Sequence, residues 1–162
     1  MTDTTAETSL VIDRLLEAPP EKVWRCLTEP ELLRRWFAPH PVEITDIALD
    51  LTPGGMFGIT MEVPGHGTIN EPPGCVLLVE PLRRLVWTSA LGPGFVPRRF
   101  GSGPMEFPMT ADMTLSAEGN GTRYVATALH AMPEDTGKHA AMGFHAGWGT
   151  TAKQLNALAQ TL

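Results

Sequence analysis

The chain has 162 residues, 43% hydrophobic and 19% charged, which supplies one domain with one core and excludes a disordered chain. Twelve Lys and Arg against eighteen Asp and Glu leave a formal charge of −6, so the basic footprint that a nucleic-acid backbone or an anionic membrane surface demands is missing. Sixteen Gly and fifteen Pro call for frequent turns without approaching a low-complexity composition.

Met1 to Ser9 is polar and slightly acidic, lacks the basic and apolar regions of a secretory signal, and reads as a flexible tail before a single domain over 10–162. Leu10 to Leu16 reads as a first strand, stopped by Pro19 and Pro20. Val23, Trp24 and Leu27 then share one face of a short helix that Pro20 can start. Thr28 reads as the N-cap of a second short helix from Glu29 to Phe37, with Pro30 in its first turn and Glu31 completing a capping box.

From Val42 the period becomes two. Val42, Ile44, Asp46 and Ala48 oppose Glu43, Thr45, Ile47 and Leu49 in a strand that runs to the turn at Thr52-Pro-Gly-Gly55. Phe57, Ile59, Met61 and Val63 alternate with Gly58, Thr60 and Glu62, the pattern of a half-buried antiparallel strand. Cys75 to Val79 and Leu85 to Leu91 are apolar runs expected as interior strands. The loops Gly65 to Gly74 and Gly92 to Pro104 are long, and the second holds four Gly and three Pro in thirteen residues, incompatible with a helix or a central strand.

Met105, Phe107, Met109, Ala111, Met113 and Leu115 share one parity of a sixth strand, and Thr122 to His130 returns as a seventh with Tyr124, Ala126, Ala128 and His130 on one face. After Pro133 a single stripe of Ala141, Phe144, Trp148, Thr151, Leu155, Leu158 and Leu162 predicts one long helix to the end. Gly137, Gly143, Gly147 and Gly149 interrupt its first half at about 1 kcal/mol each relative to Ala. Either the sheet comes close there or space is left for something else.

Cys26 and Cys75 form no CxxC spacing and, without an export signal, are expected as two buried thiols. No apolar run reaches the ~20 residues of a membrane span, so a soluble cytoplasmic protein is expected.

The order strand, two short helices, six strands and long helix carries Ala18-Pro-Pro-Glu-Lys-Val-Trp24, Leu27-Thr-Glu-Pro-Glu31, Trp36-Phe-Ala-Pro39, Gly54-Gly-Met-Phe57, Glu80-Pro-Leu-Arg-Arg-Leu85, Gly121-Thr-Arg123 and Gly147-Trp148. In that collinear series the chain resembles the START-like superfamily, often called SRPBCC, and within it the branch of heat-shock-protein 90 ATPase activator homologues. The resemblance spans about Leu10 to Leu162. It implies an α+β helix-grip fold: a curved antiparallel sheet of about six or seven strands around a long C-terminal helix, with a cavity between them. Ser89 stands where the family often carries a second aromatic after the Trp87 position, and the two long loops make the cavity mouth this chain's own.

Three functions follow as expectations. The first is a cavity for a hydrophobic or amphipathic small molecule, lined by Phe57, Ile59, Met61, Trp87, Met109, Met113, Tyr124, Phe144 and Trp148; methionine adapts its shape to varied ligands. The same residues filling an ordinary core is the competing expectation. The second, by analogy with cyclases and aromatases of the superfamily, is cofactor-independent catalysis with His130 and His145 as general acid or base. Glu62, His66 and Asp112 are weaker candidates because strand parity or loop position turns them outward. The third makes Arg98 and Arg99, beside Phe95, Val96 and Phe100, a lid or a partner-docking surface, the partner being a chaperone or an acidic group.

His139 and His145 lie about 120° apart on one helix and cannot jointly hold zinc, so no metal and no cofactor are expected. Ser89, Ser102 and Ser116 lie in no GxSxG elbow, and Gly54-Gly55 and Gly92-Pro-Gly94 lack the helix that a phosphate loop requires. A homodimer through an edge strand or the irregular loop is compatible with these residues.

Overall fold

The structure, a computed structural model, describes residues 7–162. Most of the expected tail, residues 1–6, lies outside them, and β1 (Ser9–Leu16) already begins at Ser9. Pro20 occupies the first position of α1 (Pro20–Thr28), where a missing N–H costs nothing, and Val23, Cys26 and Leu27 form its buried face. Thr28 does not cap the next helix. Its hydroxyl donates to the Trp24 carbonyl at 2.8 Å, which makes it the last residue of α1, and Glu29 takes the cap position without a side-chain bond. The second helix, α2 (Pro30–Leu33), is correspondingly a single turn instead of the expected run to Phe37. The buried Trp36 then donates its indole N–H to the Cys26 carbonyl at 2.8 Å and pins the following segment to α1.

The strands β2 (Glu43–Leu49), β3 (Met56–Val63), β4 (Gly67–Asn70), β5 (Gly74–Glu80), β6 (Arg84–Thr88), β9 (Thr110–Glu118) and β10 (Gly121–Leu129) join β1 in one eight-stranded sheet. Its order is β1-β10-β9-β6-β5-β3-β2, every pair antiparallel, with β4 on the edge of β3. The sheet curls into a half-barrel over the C-terminal helices. The fold is the helix grip that the sequence implied, with one strand more, because the loop before Gly74 contains β4.

Two boundaries differ for physical reasons. A bulge between Ile44 and Asp46 switches the inward parity of β2, so Ile44 is buried and then Ile47 and Leu49 are half-buried while Asp46 and Ala48 are exposed. The alternating run from Met105 enters the sheet only at Thr110, after Pro108, which has no N–H for the ladder. Between β6 and β9 the chain makes a flap of residues 89–109 that contains a small ribbon of β7 (Leu91–Gly92) and β8 (Val96–Pro97).

The expected long helix is two. α3 (Pro133–Ala141) and α4 (Phe144–Ala159) are separated at Gly143, whose φ of +94° is left-handed. Ala141 is exposed and drops out of the apolar stripe, which belongs to α4 alone. The other glycines answer the question the sequence posed: a Cβ at Gly137 or Gly147 would meet nothing within 4 Å, so the sheet does not approach there, and at Gly149 it would rest 3.5 Å from Arg14 Nη2.

α4 buries Phe144, Ala152, Leu155 and Ala159 in a core shared with Ile12, Leu27, Leu115 and Ala126. Two amides lock it in place. Gln154 donates to the Trp36 and Ala38 carbonyls at 3.0 and 2.9 Å and accepts from His40 N–H at 2.9 Å, and Asn156 Oδ1 accepts from Glu17 N–H at 2.8 Å. Cys26 and Cys75 are buried and unbridged, and burial pushes the Cys26 thiol up to about 11. Among the described residues no helix is long and apolar enough to cross a membrane.

The two glycines of the helix break should respond in opposite directions to the same methyl. Gly143→Ala is expected to lose about 1–2 kcal/mol for its left-handed backbone, and Gly147→Ala to gain up to about 1 kcal/mol of helix propensity. Urea titration of both variants checks this.

Candidate functional site

Between the concave face of the sheet, the flap and the two C-terminal helices lies a cavity of about 650 Å³. It is lined by all nine residues named from parity and helical spacing: Phe57, Ile59, Met61, Trp87, Met109, Met113, Tyr124, Phe144 and Trp148. Arg98 and Arg99 also line it, with Glu71 and Glu106.

The sheet-side wall is aromatic. Phe57 of β3 and Trp87 of β6 stack at 4.2 Å with planes 8° apart, and Phe37 packs against them at 5.7 and 6.4 Å. The helix-side wall is Phe144 against Trp148 at 4.6 Å, extended by His139 of α3 and by Phe107 of the flap, whose ring lies 5.0 Å from His139. One buried polar atom in these apolar surroundings has no partner among the described residues. The Trp87 indole N–H is buried and unpaired. Tyr124 is 3% exposed, and burial raises its phenol well above the usual range.

The flap is tied down at its neck, where Ser89 N–H donates to the Met109 carbonyl at 2.9 Å and Met109 N–H donates to Ser89 Oγ at 3.0 Å. Ser89 is thus a latch at the neck of the flap. Arg98 donates to the Ser89 carbonyl at 2.9 Å and lies over the Phe100 ring at 5.0 Å, which holds it within the flap, while Arg99 is exposed at the mouth. Lys138 of α3 donates to the Glu106 carbonyl at 3.3 Å and joins the flap to the helix.

The histidines fall otherwise than their spacing suggested. His145 is exposed on α4, so the core-facing position expected of it is corrected: it lies about 100° around the helix from the buried Phe144, edge-on to that ring at 5.1 Å. His130 faces inward as its parity required, yet it stands behind the main cavity and borders a smaller space of about 300 Å³ next to Met109 and Leu129. The residue between it and the cavity is His139, whose Nδ1 lies 2.9 Å from His130 Nε2. Burial lowers both rings, and the neighbouring His130 adds to the effect on His139, which falls to about 4. For His130 the Thr8 carbonyl and the charge of Asp135 oppose the shift.

Glu62 and His66 are exposed, Glu62 accepting from the Thr68 hydroxyl at 2.6 Å. Asp112 faces away from Met113 and Ala111 and accepts two bonds from Arg84 at 3.0 and 2.8 Å, an ion pair on the outer face of the sheet. Sequence reasoning missed Phe37, Phe107 and His139. Phe107 shared the parity of Met109 and was the available signal; His139 had none, since its partner is nine residues away across the turn between β10 and α3.

The chain matches the model of the family described as Activator of Hsp90 ATPase homolog 1-like protein over residues 17–160. It is similar to the crystal structure of a protein from Nitrosomonas europaea at 44% identity, with 96% of each chain covered and a TM-score of 0.87. A crystal structure from Rhodobacter sphaeroides shares 23% identity over 96% of this chain and 95% of that one, with a TM-score of 0.78. A solution structure from Arthrobacter aurescens shares 20% identity over 100% and 91%, with a TM-score of 0.76, and these last two likenesses concern the fold alone. A search of curated proteins finds no match.

The buried pair has a consequence for acid stability. His139 is depressed from 6.5 to about 4 in the folded chain, so the unfolded chain binds the extra proton and stability falls as pH drops from about 6.5 towards 4. A loss on the order of 3 kcal/mol by pH 4 is expected, measured as urea midpoints against pH, and His139→Phe should flatten that limb.

Proposed function

We propose that this chain, which belongs to the family of Activator of Hsp90 ATPase homolog 1-like proteins, binds a hydrophobic or amphipathic small molecule in the cavity between its sheet and its C-terminal helices. The observation that carries the proposal is a space of about 650 Å³ walled mainly by apolar and aromatic side chains, with Trp87, whose buried indole N–H has no partner among the described residues, and Tyr124 on its lining. Protein interiors close voids of that size when they can, since lost contacts destabilise the core. Buried donors are likewise almost always paired. A ligand of mainly apolar surface with a hydrogen-bond acceptor would answer both conditions, and the volume lies within the usual range of about 300–1,000 Å³ for small-molecule sites.

The flap supports the same reading. Its neck is latched through Ser89 and Met109, its tip carries Arg99 at the mouth, and its Phe107 and Met105 reach the cavity, the arrangement of a lid over an apolar site. A chaperone-ATPase regulator, the role carried in the family's description, would have its decisive groups on the outside, whereas the buried donor left unpaired among the described residues, the Trp87 indole N–H, belongs to a cavity-lining side chain. A cyclase-like enzyme remains the alternative for the same cavity, and the one observation in its favour is the ring of His139 at the wall.

The neutral fluorophore N-phenyl-1-naphthylamine tests the proposal. It is expected to bind the wild-type chain one to one, and Gly147→Leu, whose side chain would grow into open space at the cavity wall, should weaken it by at least about tenfold. Equal affinity of the two proteins, with their folds matched by circular dichroism, would place the probe elsewhere and overturn the proposal.

A further inference from the structure

The buried histidines form a chain whose hydrogens can be assigned by donor and acceptor accounting. His130 turns both its backbone N–H and its ring Nδ1 to the Thr8 carbonyl, at 2.8 and 3.0 Å. A carbonyl only accepts, so His130 Nδ1 carries a hydrogen. In a neutral imidazole the other nitrogen then holds a lone pair, and His130 Nε2 is 2.9 Å from His139 Nδ1. Two lone pairs do not meet at that distance, so His139 Nδ1 carries the hydrogen and donates it. His139 Nε2 is left as a lone pair, with no partner among the described residues, on a side chain that lines the main cavity.

The surroundings keep this ring neutral. Phe107, Phe144 and Trp148 stand around it at 5.0, 5.1 and 5.8 Å, and none offers a counter-charge. The carboxylate that reaches the pair, Asp135 on the same helix, acts on His130 and lies 3.8 Å from the Lys138 ammonium. A neutral lone pair facing an apolar space is a hydrogen-bond acceptor awaiting a donor.

We infer that His139 Nε2 is the acceptor by which the cavity recognises a neutral hydroxyl on an otherwise apolar molecule, an alcohol or a phenol, and that His130 is the positioning residue that holds this nitrogen in its accepting form. The inference rests on the reading of the cavity as a binding site and adds the chemical class of its occupant. A hydroxyl suits the site from both sides. It donates to His139, and its oxygen can accept from a donor of the kind that Trp87 leaves unpaired. A carboxylate brings no proton to this nitrogen, and the rings around it, Phe107, Phe144 and Trp148, carry no charge to pair with an ammonium.

The test uses 1-hydroxypyrene and 1-methoxypyrene, fluorescent probes of one shape that differ in the O–H, titrated into the full chain at pH 7.5. The wild-type protein is expected to prefer the hydroxy probe by about fivefold or more, the contribution of one neutral hydrogen bond. His139→Phe should bring the ratio to about one while keeping affinity for the methoxy probe. In His130→Phe, nitrogen-15 NMR should show the His139 hydrogen no longer held on Nδ1, a signal that a merely structural role of His130 would not move, and the hydroxy preference should fall with it. Equal affinity of the wild-type chain for the two probes overturns the inference and leaves the binding cavity standing. Failure of both probes to bind removes the cavity reading and the inference together. A wild-type spectrum with His139 protonated on Nε2 overturns the inference without any variant.

Discussion

The C-terminal helix is held at one side. α4 packs closely on β1 and α1, and its two amide clamps, Gln154 to the segment after α2 and Asn156 to the turn after β1, add polar bonds in the same region. A half-barrel of eight strands is wider than one helix, so a helix anchored beside β1 packs more closely there than on the concave faces of β3 and β6. The cavity is the geometric remainder of that attachment. The Phe57–Trp87 stack and the flap close the side that the helix does not cover, opposite its own Phe144 and Trp148.

Gly143 completes the arrangement. Its left-handed backbone separates α3 from α4, with His139 of α3 at the cavity wall and His145 of α4 exposed to solvent. A continuous helix would have kept the two rings on one cylinder. His139 instead pairs with His130, the residue after β10, in one hydrogen-bonded chain that ends at the Thr8 carbonyl. The apolar rings around the pair hold it neutral, and neutrality makes a histidine an acceptor.

The flap supplies what the sheet lacks at its open side. Thirteen residues rich in Gly and Pro resist regular structure, and the chain compensates with side-chain bonds: Ser89 with Met109 at the neck, Arg98 with the Ser89 carbonyl, Lys138 with the Glu106 carbonyl. The segment is therefore held by a few bonds at its base and by packing of Phe107 against the histidine, the construction of an element that can open without unfolding the core.

Alternation by two was sufficient to name most strands and their inward faces, because a half-buried sheet admits apolar residues on one face only; Phe57, Ile59, Met61, Met109, Met113 and Tyr124 of the cavity were legible on that ground. Helical spacing named the buried stripe of α4 for the same reason. Where a local device shifted the pattern, the one-dimensional reading failed: the bulge in β2, Thr28 bonding back into its own helix, Pro108 delaying β9 and Gly143 splitting the last helix. Whether the inward residues would fill a core or surround a space was never a property of their order along the chain. It depended on how far the helix stands from the far strands, a distance set by contacts between α4, β1 and α1 that are remote in sequence. The histidine pair belongs to the same class, since its two rings come from different periodicities and meet only when strand and helix are docked.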